Sequence, residues 1–276
     1  MFKDSRRGLE MDVPRAPPSL PEWEYLPDGW PRTDPAAAGW NDPSIVRAMV
    51  AHWEEFSSVV RSKRPLGIYP LAPHGNSLSG HNLAMTLGYV LARAAIGRDR
   101  VSVLDWGGAT GHYALIAQAL VPEVPLDITI RDLPDMCQAG HDLLPLVSFT
   151  TEDAQCFGRR YDVVIASSSL QYAETWRDTL RRLAAAAESW LFVTRLPAVR
   201  NAPSFVVVQR PHAYGYQTEY ASWVLNRTEF ITHVEECGLV LEREFIAGGV
   251  TEYAGGPEPS EESGFLFRVP HREAAR

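Results

Sequence analysis

From residue 101 onward, short apolar runs alternate with stretches whose apolar residues recur at helical spacing. The runs VSVLDW, LDITIR, LVSFT, YDVVIAS and SWLFVTRL have the length and β-branched content of strands, while helical patterns fill about 111–121, 134–144 and 175–188. A helix between two strands carries the chain back over one face of a sheet. Such strands run parallel, with both faces covered by helices. NRTEFITHVEECG reads as one more helix, stopped at Gly238, a residue that takes a left-handed cap without strain. LVLEREFI and SGFLFRV follow with no helix between them, which predicts an antiparallel hairpin at the sheet edge.

The first hundred residues are patterned differently. Prolines punctuate residues 12–43, so this stretch supports neither a regular helix nor a central strand. Its Trp23, Tyr25, Trp30 and Trp40 predict packing against the rest of the molecule. Asp42-Pro43-Ser44 then combines a cap with an early proline and opens a helix through IVRAMVAHWEEFSSVVRS. A second helix is expected over GHNLAMTLGYVLARAA, after the loop RPLGIYPLAPHGNSLS, and AGGPEPSEES at 254–263 reads as a surface loop. The expected organisation is a Pro/Trp-rich segment at 1–43, a helical extension or lid at 44–98, and an α/β domain at 99–276.

Composition narrows the function. The 276-residue chain carries a formal net charge of −8, which argues against a general binder of nucleic acid or membrane surfaces. It leaves room for a local basic pocket. Cys137, Cys156 and Cys237 are too scattered for a disulfide framework or a zinc site, and no metal is expected. No run has signal-peptide character or membrane-span length, so the expectation is a cytoplasmic protein.

The chemistry centres on VSVLDWGGATGHYALIAQAL, where the first strand breaks into glycines at the edge at which open α/β sheets bind ligands. A phosphate-binding loop needs a lysine after its last glycine, and His112 stands after Gly111 instead. The dinucleotide fingerprint would place its first glycine at Trp106, where an indole opposes a tight turn. This counts against a nicotinamide-dependent oxidoreductase or epimerase. VLDWGGATG resembles the first motif of class I S-adenosylmethionine-dependent methyltransferases, with Asp105, Gly107 and Gly111 in register, Gly108 beside them and Ala109 replacing the middle glycine.

The resemblance implies a Rossmann-like, mostly parallel seven-stranded sheet with helices on both faces, plus the helical N-terminal extension. It implies S-adenosylmethionine as cofactor and S-adenosylhomocysteine as product. RDLP resembles the stretch that follows the second strand in small-molecule members, which assigns Asp132 to the ribose hydroxyls with Leu133 beside it. Glu152 or Asp153 is implied at the adenine amino group. YDVVIASSSLQY is similar to the fourth-strand motif, placing Ser167 and Ser168 near the cofactor, with Gln171-Tyr172 where many members carry a histidine pair. VLDWGGATGHY, SSSLQY, TRLP, Gln209 and LNRTEF resemble more narrowly a bacterial group associated with polysaccharide and natural-product gene clusters. A non-catalytic binding module on the same fold is the remaining alternative, and the intact Asp105, glycine loop and Asp132 oppose it.

Methyl transfer from a sulfonium needs alignment and exclusion of water, and the acceptor still has a proton to lose. TRLPAVRNAPSFVVVQRPHAYGYQTEYASW is the candidate substrate wall for a small molecule. Arg195, Arg200 and Arg210 are candidates to clamp a carboxylate or phosphate, and Tyr214, Tyr216, Tyr220 and Trp223 to exclude water. A lid or homodimer surface is the alternative for this segment. His212 is the leading base, with Gln171 orienting the acceptor and Tyr172 shaping the wall. His74, Asn76, His81 and Asn82 stand as a cap over the pocket or as ordinary helix and loop caps.

Overall fold

The computed structural model describes residues 20–31, 39–68 and 77–270. Strand β1 (Trp23–Leu26) precedes helices α1 (Pro43–Ala51), α2 (Trp53–Arg61) and α3 (Leu78–Ala95). The sheet then builds through β2 (Val101–Trp106), α4 (His112–Leu120), β3 (Leu126–Arg131), α5 (Pro134–Leu143), β4 (Ser148–Thr150), α6 (Asp153–Phe157), β5 (Tyr161–Ser167), α7 (Trp176–Ala186) and β6 (Ala187–Val199). After β7 (Phe205–Gln209) and β8 (Tyr220–Asn226) come α8 (Arg227–Glu236), β9 (Val240–Thr251) and β10 (Ser260–Arg268).

Seven of these strands form the expected sheet in the order β4-β3-β2-β5-β6-β10-β9. The first five run parallel, and β10 is antiparallel to both β6 and β9. Burial alternates across it as a two-faced sheet requires. Trp190 and Phe192 join the core with α2, α3 and α4, while Leu191 and Val193 join the core with α7 and α8. Helix α3, read from sequence as part of an extension or lid, buries Leu83, Leu87, Val90, Leu91 and Ala94 in the first of these cores.

Three strands were not legible beforehand. β8 pairs β7, and β7 pairs β1, making an antiparallel ribbon attached where β8 meets Ala198 and Val199 of β6. The proline-rich stretch thus supplies a short strand at the rim of this ribbon, whose outer edge exchanges backbone hydrogen bonds with Ala254. The helix expected from Pro43 onward breaks at His52, whose backbone leaves helical values. The break lets α1 turn Ile45 and Met49 toward Ala109 and Met136, while α2 packs Trp53 and Phe56 into the core with α4. Residues 260–263, expected in a surface loop, belong to β10.

Candidate active site

Strand β2 carries Asp105 to the carboxyl edge of the sheet, and the chain turns into α4 through a loop with three left-handed residues. Gly107 has φ 75°, Ala109 φ 51° and Gly111 φ 89°. Alanine therefore occupies a conformation that costs an L-residue roughly 1–2 kcal/mol. A charge-assisted bond offsets this strain, because the Ala109 N–H donates to Asp132 Oδ2 at 2.7 Å. Gly107 and Gly108 are required by space as well. A Cβ would stand 2.3 Å from Ser169 Cβ in the first case and 2.5 Å from Asp105 Oδ2 in the second.

Asp132 follows β3, and its Oδ1 accepts from the Leu133 N–H at 2.7 Å. A carboxylate offers about four lone-pair sites, so each oxygen retains capacity for a ligand hydroxyl. Burial raises the Asp132 pKa, opposed by the Leu133 and Ala109 N–H bonds and by Arg131. Asp105 is 2% exposed, and burial, reinforced by the Asp132 charge, pushes its pKa up to about 7. Its Oδ2 has no hydrogen-bond partner within the protein. His112 is pushed down to about 3 by burial first and Arg195 second, so its imidazole is neutral at pH 7.

β5 ends at Ser167, and Ser168 and Ser169 follow it to shape the floor. Ser167 Oγ donates to Tyr113 Oη at 2.8 Å, Ser169 Oγ donates to the Trp106 carbonyl at 2.8 Å, and Ser168 takes φ 50°. Gln171 follows in a short turn, and its Nε2 donates to Ser168 Oγ at 3.2 Å and to the Arg195 carbonyl at 3.3 Å. Tyr172 donates from its hydroxyl to Gln209 Oε1 at 3.2 Å.

Arg195 owes its place to a bulge. Val193 pairs with Phe265 and Leu196 with Ser263, so β6 spends one residue more than β10 over this step. Arg195 sits there at φ 55°, just past the last β5 pairing at Thr194 and before β8 takes over at Ala198.

Two cavities meet at this edge. One of about 350 Å³ is lined by Gly107, Ala109, His112, Asp132, Leu133 and Met136, with Trp106 and Ser167–Ser169. The other, about 320 Å³, lies between β6, β9 and β10 and the ribbon, and is lined by Gln171, Pro197, Gln209, Tyr216, Tyr220 and Glu262, among others. Trp40, Met49, Ser168, Tyr172 and Arg195 line both. The residues of the first fit a nucleoside with free hydroxyls: a close-approach loop, an acid with spare acceptor capacity, and apolar Leu133 and Met136.

A family model described as a methyltransferase domain matches residues 80–237, more than half of the chain. The chain belongs to this methyltransferase family. No curated protein matches the sequence. Among solved structures, a SAM-dependent methyltransferase from Methanosarcina mazei superposes with TM-score 0.48 at 11% identity, covering 65% of this chain and 96% of that one. DesVI from Streptomyces venezuelae gives 0.41 at 17% identity, covering 68% and 92%. An S-adenosylmethionine-dependent methyltransferase from Clostridium acetobutylicum gives 0.44 at 9%, covering 67% and 92%. The family assignment rests on the sequence model, since likenesses at this level carry no detail of the site.

The methyltransferase brings together only part of the expected set. Gly107, Asp132, Leu133 and Ser167 line the first cavity, Gln171 and Tyr214 the second, and Ser168, Tyr172 and Arg195 both. Asp105, Gly108 and Gly111 shape the loop from behind. Glu152 and Asp153 do not line either cavity. Asp153 accepts from Arg131 Nε at 2.9 Å and from Arg182 at 2.7 Å, so this acid, just after β4, ties β3 to α7 instead.

The expected base and most of the expected clamp lie elsewhere. His212 is exposed on a short turn, Nδ1 3.2 Å from the Tyr216 carbonyl oxygen, and lines neither cavity. Arg200 is exposed and paired with Glu261. Arg210 holds Glu24 and Glu219 and fastens β1 to the ribbon. His81 Nδ1 lies 3.2 Å from the Leu66 carbonyl oxygen, and Asn82 donates to the Ile246 carbonyl, which are ordinary structural bonds. His74 and Asn76 lie outside the described residues. Among the described residues, no group of three His, Cys, Asp or Glu is placed to hold a metal, and no helix is long and apolar enough to cross a membrane.

Sequence reasoning missed Met49, Met136, His112 and Glu262 as site residues, and it read Trp40 only as a packing residue. Glu262 was hidden because its segment reads as a loop. No local signal marked it: the β9–β10 register shifts between Glu261 and Ser263, and the glycine that makes room for the acid is Gly248, where a Cβ would stand 1.9 Å from Glu262 Oε2.

Proposed function

We propose that this enzyme methylates a small metabolite, of the kind modified in secondary or polysaccharide metabolism, with the donor held in the first cavity and the acceptor reached through the second. The observation that supports this most is the common wall of Trp40, Met49, Ser168, Tyr172 and Arg195 between two cavities of metabolite size. The chamber volume and the net charge of −8 favour a small molecule over a nucleic acid.

On this reading Asp132 accepts from the ribose hydroxyls, and the Gly107–Gly111 loop lets the ligand approach the backbone. Leu133 and Met136 pack on the base. When bound, S-adenosylmethionine would supply a methyl group activated for transfer by its positively charged sulfur, which would leave as a neutral thioether. Trp40 and Tyr172 exclude water from the junction, and the clamped Gln171 amide orients the acceptor. His112 is held neutral with too low a pKa to serve as an efficient base at neutral pH, so its part is to shape the wall.

Calorimetry with S-adenosylmethionine, S-adenosylhomocysteine and NADH tests the donor assignment. The first two are expected to bind and NADH to fail. Tight NADH binding with no response to the other two would replace this reading with a nicotinamide enzyme. Incorporation of labelled methyl into low-molecular-weight extract components tests the acceptor class.

A further inference from the structure

The second cavity lacks the chemistry of an anion clamp. Arg195 is the one expected arginine on its wall, and its Nε is 3.5 Å from Glu262 Oε1. Glu22 adds another carboxylate to the lining. An entering anion would have to pull Arg195 from Glu262 and face both acids, losing more than it gains in a half-buried setting.

Gln171 sets the polarity further. It is 3% exposed, and its orientation is determined by the Arg195 carbonyl, which accepts only and must face Nε2. Its Oε1 is therefore on the other side, buried with no donor from the protein. A donor arriving with a ligand removes the desolvation cost of that unpaired oxygen. Around it stand aromatic rings: Trp40 stacks on Tyr220 at 4.4 Å and meets Tyr172 edge-on at 4.9 Å. Aromatic walls with acceptors set among them suit a ring whose edge bears O–H or N–H groups.

We propose that the second cavity is an acceptor chamber selective for an uncharged ring bearing hydroxyl or amino groups, which donate to the Gln171 carbonyl and the Glu262 carboxylate. Anions are rejected. The proposal rests on reading the first cavity as the donor site, and its test separates the two. Protein saturated with S-adenosylhomocysteine is titrated, by ligand-observed NMR, with phenyl β-glucoside against phenyl β-glucuronide, and with 4-aminobenzyl alcohol against 4-aminobenzoate. In at least one pair the neutral member binds about tenfold tighter. The responding pair shows whether hydroxyl or amino donors are preferred.

Gln171→Leu keeps the shape, removes the acceptor, and weakens the neutral member by about tenfold. Glu262→Gln removes the carboxylate charge that faces Arg195 and narrows or inverts the preference, a gain that a damaged fold cannot produce. Equal affinity within both pairs, tighter binding of the anions, no binding at all, or a preference insensitive to both variants overturns the proposal. If calorimetry finds no binding of S-adenosylhomocysteine, the donor-site reading falls. The same pairs titrated into the unloaded protein still judge the chamber.

Discussion

Asp132 performs two tasks with one carboxylate: it holds the strained Ala109 through its N–H, and it keeps acceptor capacity toward the cavity. Asp132→Ala is expected to weaken S-adenosylhomocysteine binding by about 2–3 kcal/mol in calorimetry, since ribose hydroxyls lose a charged partner. Unchanged affinity would remove Asp132 from the donor site. At Gly107 the structure alters the prediction that sequence alone suggests. From the motif, a bulky residue there blocks only the ligand, yet the first atom of any side chain runs into Ser169. Gly107→Val should therefore destabilise the fold by roughly 2–4 kcal/mol, combining left-handed strain with overpacking, besides losing binding. A thermal melt matching the parent would show that Ser169 yields easily.

At the level of elements, the distinctive part is the β1–β7–β8 ribbon, because it walls the second cavity. Arg210 is its fastening: the side chain is 12% exposed, bonded to Glu24 and Glu219 and to the Pro21 carbonyl. Its partners are partly solvated, so each pair contributes modestly. Arg210→Ala is expected to cost about 1–2 kcal/mol, concentrated in β1. Hydrogen exchange should quicken at residues 23–26 while the β2 and β5 amides stay protected. Uniform loss of protection would mean that the ribbon and the sheet unfold as one unit. The bulge at Arg195 belongs to this scale too, since it lets one strand serve two sheets and turns a guanidinium toward both cavities.

Across the whole molecule, two buried groups oppose each other in pH dependence. Asp105 keeps its proton to about pH 7 when folded. The unfolded chain releases it near pH 4, so this group lowers stability as pH rises through that window. His112 stays neutral down to about pH 3 when folded. The unfolded chain charges it below about 6.5, so this group lowers stability as pH falls. Asp105→Asn deletes only the first effect. Relative to the parent, the variant should gain stability progressively from about pH 4 to 7, by a few kcal/mol at most, and then level off. The buried amide adds an offset independent of pH, so the changing difference between the two melting profiles is the test. Parallel profiles would mean that Asp105 is ionised throughout.

What the sequence determined by itself is what local periodicity and backbone chemistry encode. The parallel strands, their crossover helices and the closing hairpin follow from apolar spacing. The glycine loop and Asp132 follow from residue types that few backbones tolerate at a strand end. The ribbon escaped because FVVVQ and YASWVLN lie among arginines, tyrosines and prolines, and their pairing with Trp23–Leu26 spans a long chain separation that no local pattern reports. The same limit explains the site. His212, Arg200 and Arg210 have suitable chemistry, but which side chains face the cavities depends on a bulge in β6 and a broken helix after Pro43. Only the tertiary structure brings Trp40, Gln171, Arg195 and Glu262 to one chamber, because each comes from a different element and their packing, not their order, makes them neighbours.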